Sequence, residues 1–203
     1  MVHLSKSKYC ALWQCPKMAW LNKHKPEVKT EDPALEARFA TGNEVGDLAM
    51  GLFGDYVEVT AYDGEKLDLG RMIENTVIEM EKGTPVICEA SFSCNGLYCA
   101  VDILRKESDG WAIYEVKSST NNDEKQEKKP VYMADISYQK YVLEHCGVHV
   151  AKTYLVSINN KYVFDGSLNL QELFYVLDVS DEVAIEIQNV EGNLAIAEQV
   201  LSV

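Results

Sequence analysis

Between residues 86 and 118 the chain carries three short runs rich in β-branched and aromatic residues, each divided from the next by a tight-turn signal. The runs are 86–93, 97–105 and 111–118, with Asn95-Gly96 and Asp109-Gly110 between them. Such dipeptides supply the positive φ that a short hairpin turn demands. A three-strand antiparallel meander follows, and the rest of the chain must pack around it. The flanks have a helical period instead. Residues 1–25 read as helical, with Ser5 as N-cap and Pro16 in the first turn of a second short helix. A longer helix over 33–53 opens at Asp32-Pro33; Gly42 and Gly46 predict an irregular or closely packed middle. Another helix covers 68–82 and stops at Gly83 and Pro85. After the meander, 119–130 reads as a loop, 131–145 as a helix ended by Gly147, and 150–157 as a strand. Helices near 168–176 and 181–201 complete a mixed α/β chain.

The second hairpin places charge where sheets avoid it. Side chains alternate faces along a strand, so Glu115 and Lys117 share a face with Trp111 and Ile113. Folding the hairpin about the Ser108–Asp109 bond sets Asp102 opposite Glu115, with Cβ atoms about 4.5–5.5 Å apart. Like charges directly opposite destabilise a sheet. A broken local rule without structural gain marks a functional site. A divalent cation resolves the conflict: Mg²⁺ takes oxygen ligands from one or two carboxylates and completes its shell with water and substrate phosphate. Lys117 then stands ready to orient an attacking water or neutralise developing charge.

In their order, Val101-Asp102-Ile103-Leu104, Glu115-Val116-Lys117-Ser118-Ser119 and Asp135-Ile136-Ser137-Tyr138-Gln139 resemble the PD-(D/E)XK nuclease superfamily. They are most similar to its RecB-like branch, which includes CRISPR-associated exonucleases and a further bacterial group with the same domain. The opening Leu4-Ser5-Lys6-Ser7, Cys15-Pro16 and Trp20-Leu21 resemble that group as well. The resemblance, which runs from about residue 3 to about residue 182, implies a restriction-endonuclease-like core, a mixed central sheet with an antiparallel meander flanked by helices, and 1–203 is read as one such domain. It implies metal-dependent, exonuclease-like hydrolysis of phosphodiester bonds in single-stranded or end-containing DNA, in repair, recombination or defence, with Mg²⁺ or Mn²⁺ as cofactor. Asp102, Glu115 and the Val116 carbonyl would bind metal, Lys117 would be the catalytic lysine, and Gln139 would support the site and the DNA. The family's Tyr four residues after that Gln is Leu143 here. Tyr141, two residues on, falls on another helix face and is the remaining aromatic candidate for DNA contact. The family's metal-binding His is also missing, and Gly46 stands near its place. Glu44 is a candidate replacement, and Glu89, in an apolar strand beside the hairpin, is another candidate ligand.

Charge bears on the partner. Nineteen basic residues against 32 acidic ones give a net charge of −13, unusual for a nucleic-acid binder. The lysines are uneven, however: Lys6, Lys8, Lys17, Lys23, Lys25 and Lys29 lie in the basic segment 1–30, and no Lys or Arg follows Lys161. Lys6, Lys8 and Lys17, with the lysines of 119–130, are the phosphate-contacting candidates. Many relatives hold an iron–sulfur cluster on one N-terminal and three C-terminal cysteines. Cys15 resembles the first as a remnant, but no Cys follows Cys146. Four thiolates are the usual requirement, so a cluster is not expected. With no membrane span and no secretory leader in view, the expected protein is cytoplasmic with reduced thiols. Residues 177–203 are expected to form a C-terminal acidic helix that packs in the core, against a further C-terminal region or against a second subunit. The rival reading is a catalytically inactive nucleic-acid-binding or protein-interaction module on the same fold. A cysteine hydrolase using His145 or His149 is weaker, since no Cys–His–Asx arrangement can be derived.

Overall fold

The computed structural model describes residues 3–29, 33–121 and 128–202, with the side chains of 33–39 left aside. The elements run β1 (Leu4–Ser5), α1 (Lys6–Gln14), α2 (Pro16–His24), α3 (Pro33–Met50), β2 (Val57–Glu58), β3 (Tyr62–Asp63), β4 (Lys66–Leu67) and α4 (Leu69–Lys82). Then follow β5 (Val86–Cys94), β6 (Leu97–Glu107), β7 (Gly110–Asn121), α5 (Pro130–His145), β8 (Val150–Asn159), α6 (Leu170–Leu173), β9 (Phe174–Asp178), α7 (Ser180–Glu186) and α8 (Val190–Leu201).

The sheet is mixed, in the order β2-β5-β6-β7-β8-β9, with β1 added to β6; β3 and β4 form a separate hairpin. The meander is as expected. Asn95 and Gly96 both have positive φ, 51° and 78°, the conformation of a type I′ turn. In the second hairpin Ile103 pairs with Tyr114 and Glu107 with Gly110, which is the expected register. A Cβ at Gly110 would stand 2.8 Å from the His149 carbonyl oxygen, so only glycine fits where β7 leaves the turn. After β7 the chain crosses through α5 and returns as β8, parallel to β7, as a βαβ unit requires.

Alternation along β7 feeds two cores. Trp111 and Ile113 join Leu4, Tyr9 and Leu12 near the start of the chain and Ile136, Tyr138 and Val142 of α5, with Val183, Val190 and Leu201 closing that side. Ala112 and Tyr114 join Val45, Ala49 and Met50 of α3 on the other. Helices thus cover both faces of a restriction-endonuclease-like mixed α/β core. Each fully buried Leu or Ile contributes about 1.5–3 kcal/mol. Among the described residues no helix is long and apolar enough to cross a membrane.

Several expectations need correction. α3 runs unbroken through Gly42 and Gly46, and nothing lies within 4 Å of a Cβ at either. Docking on β7 outweighs the roughly 1 kcal/mol that a helical glycine costs. Its expected last turn, Gly51–Phe53, is a 3₁₀ turn; Asp32, its expected start, lies outside the described residues. The loop expected from 119 begins later, because Thr120 and Asn121 resume pairing with β8 after a bulge beyond Lys117; 122–127 lie outside the described residues. The helix expected over 168–176 is one turn, α6, followed by β9 against β8. Leu-Gln-Glu-Leu-Phe-Tyr-Val-Leu suits both periods, and the open edge of β8 decides for a strand. The segment 177–203 is therefore not one helix: it begins in β9, and a 3₁₀ turn at Ile187–Asn189 separates α7 from α8.

Candidate active site

The β6–β7 ladder ends at Ile103 and Tyr114. Beyond that point the strands part. β1 takes the edge of β6, with Leu4 against Leu97 and Ser5 against Tyr98, while β7 continues along β8. Asp102 and Glu115 occupy the first position of this fork. The splay explains why two carboxylates are tolerated there: their side chains open onto a gap into which the Lys6 ammonium points.

Each side chain is held by several partners. Asp102 Oδ2 accepts the Val116 backbone N–H at 2.7 Å. Glu115, 2% exposed, accepts from Lys117 Nζ at 2.6 Å and from Gln139 Nε2 at 2.6 Å. Lys117 Nζ also donates to Asp135 Oδ2 at 2.7 Å, and Gln139 Nε2 to Asp135 Oδ1 at 2.9 Å. Asp135 and Gln139 are four residues apart on α5, hence on one face, and that face closes over the fork. Lys6, the first residue of α1, points its ammonium between the carboxylates, 3.4 Å from Asp102 Oδ1 and 3.2 Å from Glu115 Oε2.

Glu89 adds a third acid to the sheet. It lies between the pairs Cys88–Ile103 and Ala90–Val101, level with Asp102. Its φ is 58°, a left-handed conformation that costs a residue of this type roughly 1–3 kcal/mol. Such strain at an acidic residue beside other acids fits a site held for chemistry rather than stability.

The protonation behaviour follows from crowding. Burial, then the Asp102 charge, pushes Glu89 up to about 7. Burial, then Glu115, raises Asp102, and the same two causes raise Asp135. Burial acts to raise Glu115 also, but Lys117 and Lys6 outweigh it and hold this carboxyl well below its usual range. Burial would lower both lysines, yet the carboxylates keep Lys6 and Lys117 well above theirs. Four acids therefore meet two ammonium groups, leaving an excess of two negative charges when all are ionised.

That excess and the donor chemistry fit a divalent cation. Asp102 Oδ1 and Glu115 Oε2 are hard oxygen donors already converging on one cation, and Mg²⁺ needs no more than one or two carboxylates from protein. The Gln139 Oε1 atom, buried beside them, has no hydrogen-bond partner among the described residues. No group of three or more His, Cys, Asp or Glu side chains among the described residues is assembled for metal as arranged, so Glu89 is adjacent to the pair without closing on it.

The other sequence candidates are dispersed. Glu44 is exposed on α3, whose buried residues pack against the Ala112 and Tyr114 face of β7, opposite Glu115; no described ion pair joins it to the fork. Lys8 and Lys17 are exposed. Lys8 lines a cleft of about 570 Å³ with His3, Asn22 and Lys23. Lys125 lies outside the described residues, and Lys128 pairs with Glu182. Tyr141 is turned from Gln139 and stacks on His145, centroids 4.0 Å apart. Cys15 is a free thiol at the start of α2. Two members of the cluster were not evident as such from sequence: Asp135, whose i, i+4 spacing from Gln139 was the available signal, and Lys6 as a partner of the carboxylates.

No protein-family model matches this chain, and no curated protein matches it. Among solved structures, an alkaline exonuclease from Laribacter hongkongensis is similar at 13% identity and a TM-score of 0.48, over 97% of this chain and 88% of that one. A protein named SSO0001 is similar at 12% identity and a TM-score of 0.43, over 96% of this chain and 76% of that one.

Proposed function

We propose that the chain is a metal-dependent nuclease of the PD-(D/E)XK type that hydrolyses DNA phosphodiester bonds in an exonuclease-like manner. The observation that carries this reading is the fork itself: Asp102, Glu115, Lys117 and Gln139, widely spaced in sequence, meet where β6 and β7 part, Glu115 bonded to Lys117 and Gln139 and joined to Asp102 through Lys6. Asp102, Glu115 and the Val116 carbonyl would hold Mg²⁺ or Mn²⁺, with Glu89 as the adjacent third acid. When bound, the cation supplies Lewis-acid polarisation of a phosphoryl oxygen and neutralises charge on the reacting phosphate. Lys117, fixed between Glu115 and Asp135, orients the attacking water and faces the developing negative charge. Gln139 fixes the Glu115 carboxylate and the ridge of α5 beside the substrate. Lys8 and Lys17 contact flanking phosphates, and binding weakens as salt rises.

The lysine lodged between the carboxylates and the net charge of −13 favour a second reading, an inactive nucleic-acid-binding or protein-interaction module. One assay separates the two. End-labelled single- and double-stranded DNA is incubated with wild type in Mg²⁺, Mn²⁺ or EDTA, beside Glu115→Ala and Lys117→Ala. The nuclease reading expects cleavage that requires metal and is lost in both variants. No cleavage by folded wild type in either metal contradicts it and supports the module.

A further inference from the structure

We infer that Lys6 is a built-in competitor of the metal: its ammonium and a divalent cation use the same carboxylate oxygens, so loading the site requires the Lys6 side chain to swing out of the fork. This rests on the metal-dependent reading above. The geometry is direct. Lys6 Nζ lies 3.4 Å from Asp102 Oδ1, 3.3 Å from Glu115 Oε1 and 3.2 Å from Glu115 Oε2. Asp102 Oδ2 is taken by the Val116 N–H at 2.7 Å, and Glu115 Oε1 and Oε2 each accept one further bond, from Lys117 and Gln139 at 2.6 Å, so the lone pairs left over are the ones that Lys6 shares. A cation at coordination distance of about 2.0–2.1 Å from the same atoms and an ammonium at these positions exclude each other, by contact and by charge.

Lys6 differs from Lys117 in how it is held. Lys117 bonds Glu115 at 2.6 Å and Asp135 at 2.7 Å and also faces the Tyr132 ring at 5.3 Å. Two short ion pairs from different elements lock it. Among the described residues Lys6 makes only the longer contacts given above, and its side chain is 23% exposed, so a path to solvent exists. Its backbone does not need to move. Leu4 N donates to Gly96 O at 3.0 Å, Tyr138 Oη donates to Leu4 O at 2.5 Å, and Tyr9 stacks on Tyr138 with centroids 4.5 Å apart. The start of α1 is pinned on β6 and α5, and only a flexible four-carbon stem must rotate. The metal-free site is thereby neutralised in part by the chain's own N-terminal segment, and metal affinity is set by the difference between two cations rather than by the carboxylates alone.

The test is titration of the whole chain with Mn²⁺ and Mg²⁺ by calorimetry, comparing wild type, Lys6→Met and Lys82→Met. The Lys82 variant removes the same charge from an exposed position 61% open to solvent, and so measures the general effect of net charge. Lys6→Met is expected to bind metal at least tenfold more tightly than wild type, about 1.4 kcal/mol, and Lys82→Met within about twofold of it. A second readout uses unaltered protein: amine acetylation mapped by mass spectrometry, in which Mg²⁺ saturation is expected to raise labelling of Lys6 several-fold and leave Lys8 unchanged. Equal or weaker affinity in Lys6→Met, or Lys6 labelling that metal does not change, overturns the competition while leaving the metal site standing. Absence of binding to wild type and Lys6→Met alike overturns both the competition and the metal-dependent reading.

Discussion

Three residues along β6 from Asp102, Arg105 bonds Glu107 at 3.3 Å and Tyr114 at 3.4 Å, lies over the Phe53 ring, and is 39% exposed. In that tip cluster one acid meets one cation in open solvent, over a shelf of stacked Tyr114 and Tyr154. At the fork, four acids meet two lysines, with Glu115 2% and Asp135 8% exposed. The same two strands thus carry a balanced, more exposed cluster at the hairpin end and an unbalanced, more deeply buried one where they separate. Exposed pairs contribute about 0–1 kcal/mol. A buried excess of charge opposes folding unless a further cation joins it. An unbalanced, buried cluster of this kind is what the proposed site requires, because a local rule broken without structural gain points to function.

Substitutions sharpen that contrast. The largest effect is expected at Glu115: Glu115→Ala should reduce cleavage to background, since it removes a ligand and a partner of Lys6, Lys117 and Gln139 together. Lys117→Ala should lower the rate by about 10²–10⁴-fold with DNA binding retained, as read by single-turnover kinetics beside a binding titration. Asp135→Ala follows. Of its two described ion pairs Lys117 keeps the one to Glu115, and a displacement near 1 Å costs about 10²-fold; kcat should fall while KM for DNA holds. If Asp135→Ala is fully active, α5 does not position the lysine.

A smaller effect concerns pH. The Glu89 carboxyl has its folded value raised from 4.5 to about 7. Its contribution to stability is complete below 4.5 and is lost as pH rises through 7. Metal-free wild type should therefore lose melting temperature relative to Glu89→Gln between pH 5 and pH 8, and parallel curves would show that neither burial nor Asp102 raises the Glu89 carboxyl. The smallest effect belongs to the tip: Arg105→Ala should change stability by less than about 1 kcal/mol and leave the cleavage rate unaltered.

Much of this was legible in the sequence, for local reasons. Asn95-Gly96 and the alternation through 97–118 set the meander, and the short turn at Ser108–Asp109 set the Asp102–Glu115 opposition, because turn length fixes register. Gln139 came from motif order. What escaped was non-local. Lys6 looks like any solvated lysine until Leu4–Ser5 pairs with β6, ninety residues on, and turns α1 into the fork. Glu89 could be suspected as a lone acid in an apolar run, but its φ could not. β9 escaped because its residues suit helix or strand equally and only the free edge of β8 decides.

The account turns on whether the fork is built for a cation rather than for the apo fold, and thermal unfolding of Asp102→Asn at pH 8, with and without Mn²⁺, tests this most directly. Burial and Glu115 raise the Asp102 value, so its charge opposes folding once ionised, and Asn keeps an acceptor for the Val116 N–H. The account expects the metal-free variant to melt at or above wild type, and Mn²⁺ to raise the melting temperature of wild type alone. A variant that melts several degrees lower without metal, or that Mn²⁺ stabilises as much as wild type, would contradict it.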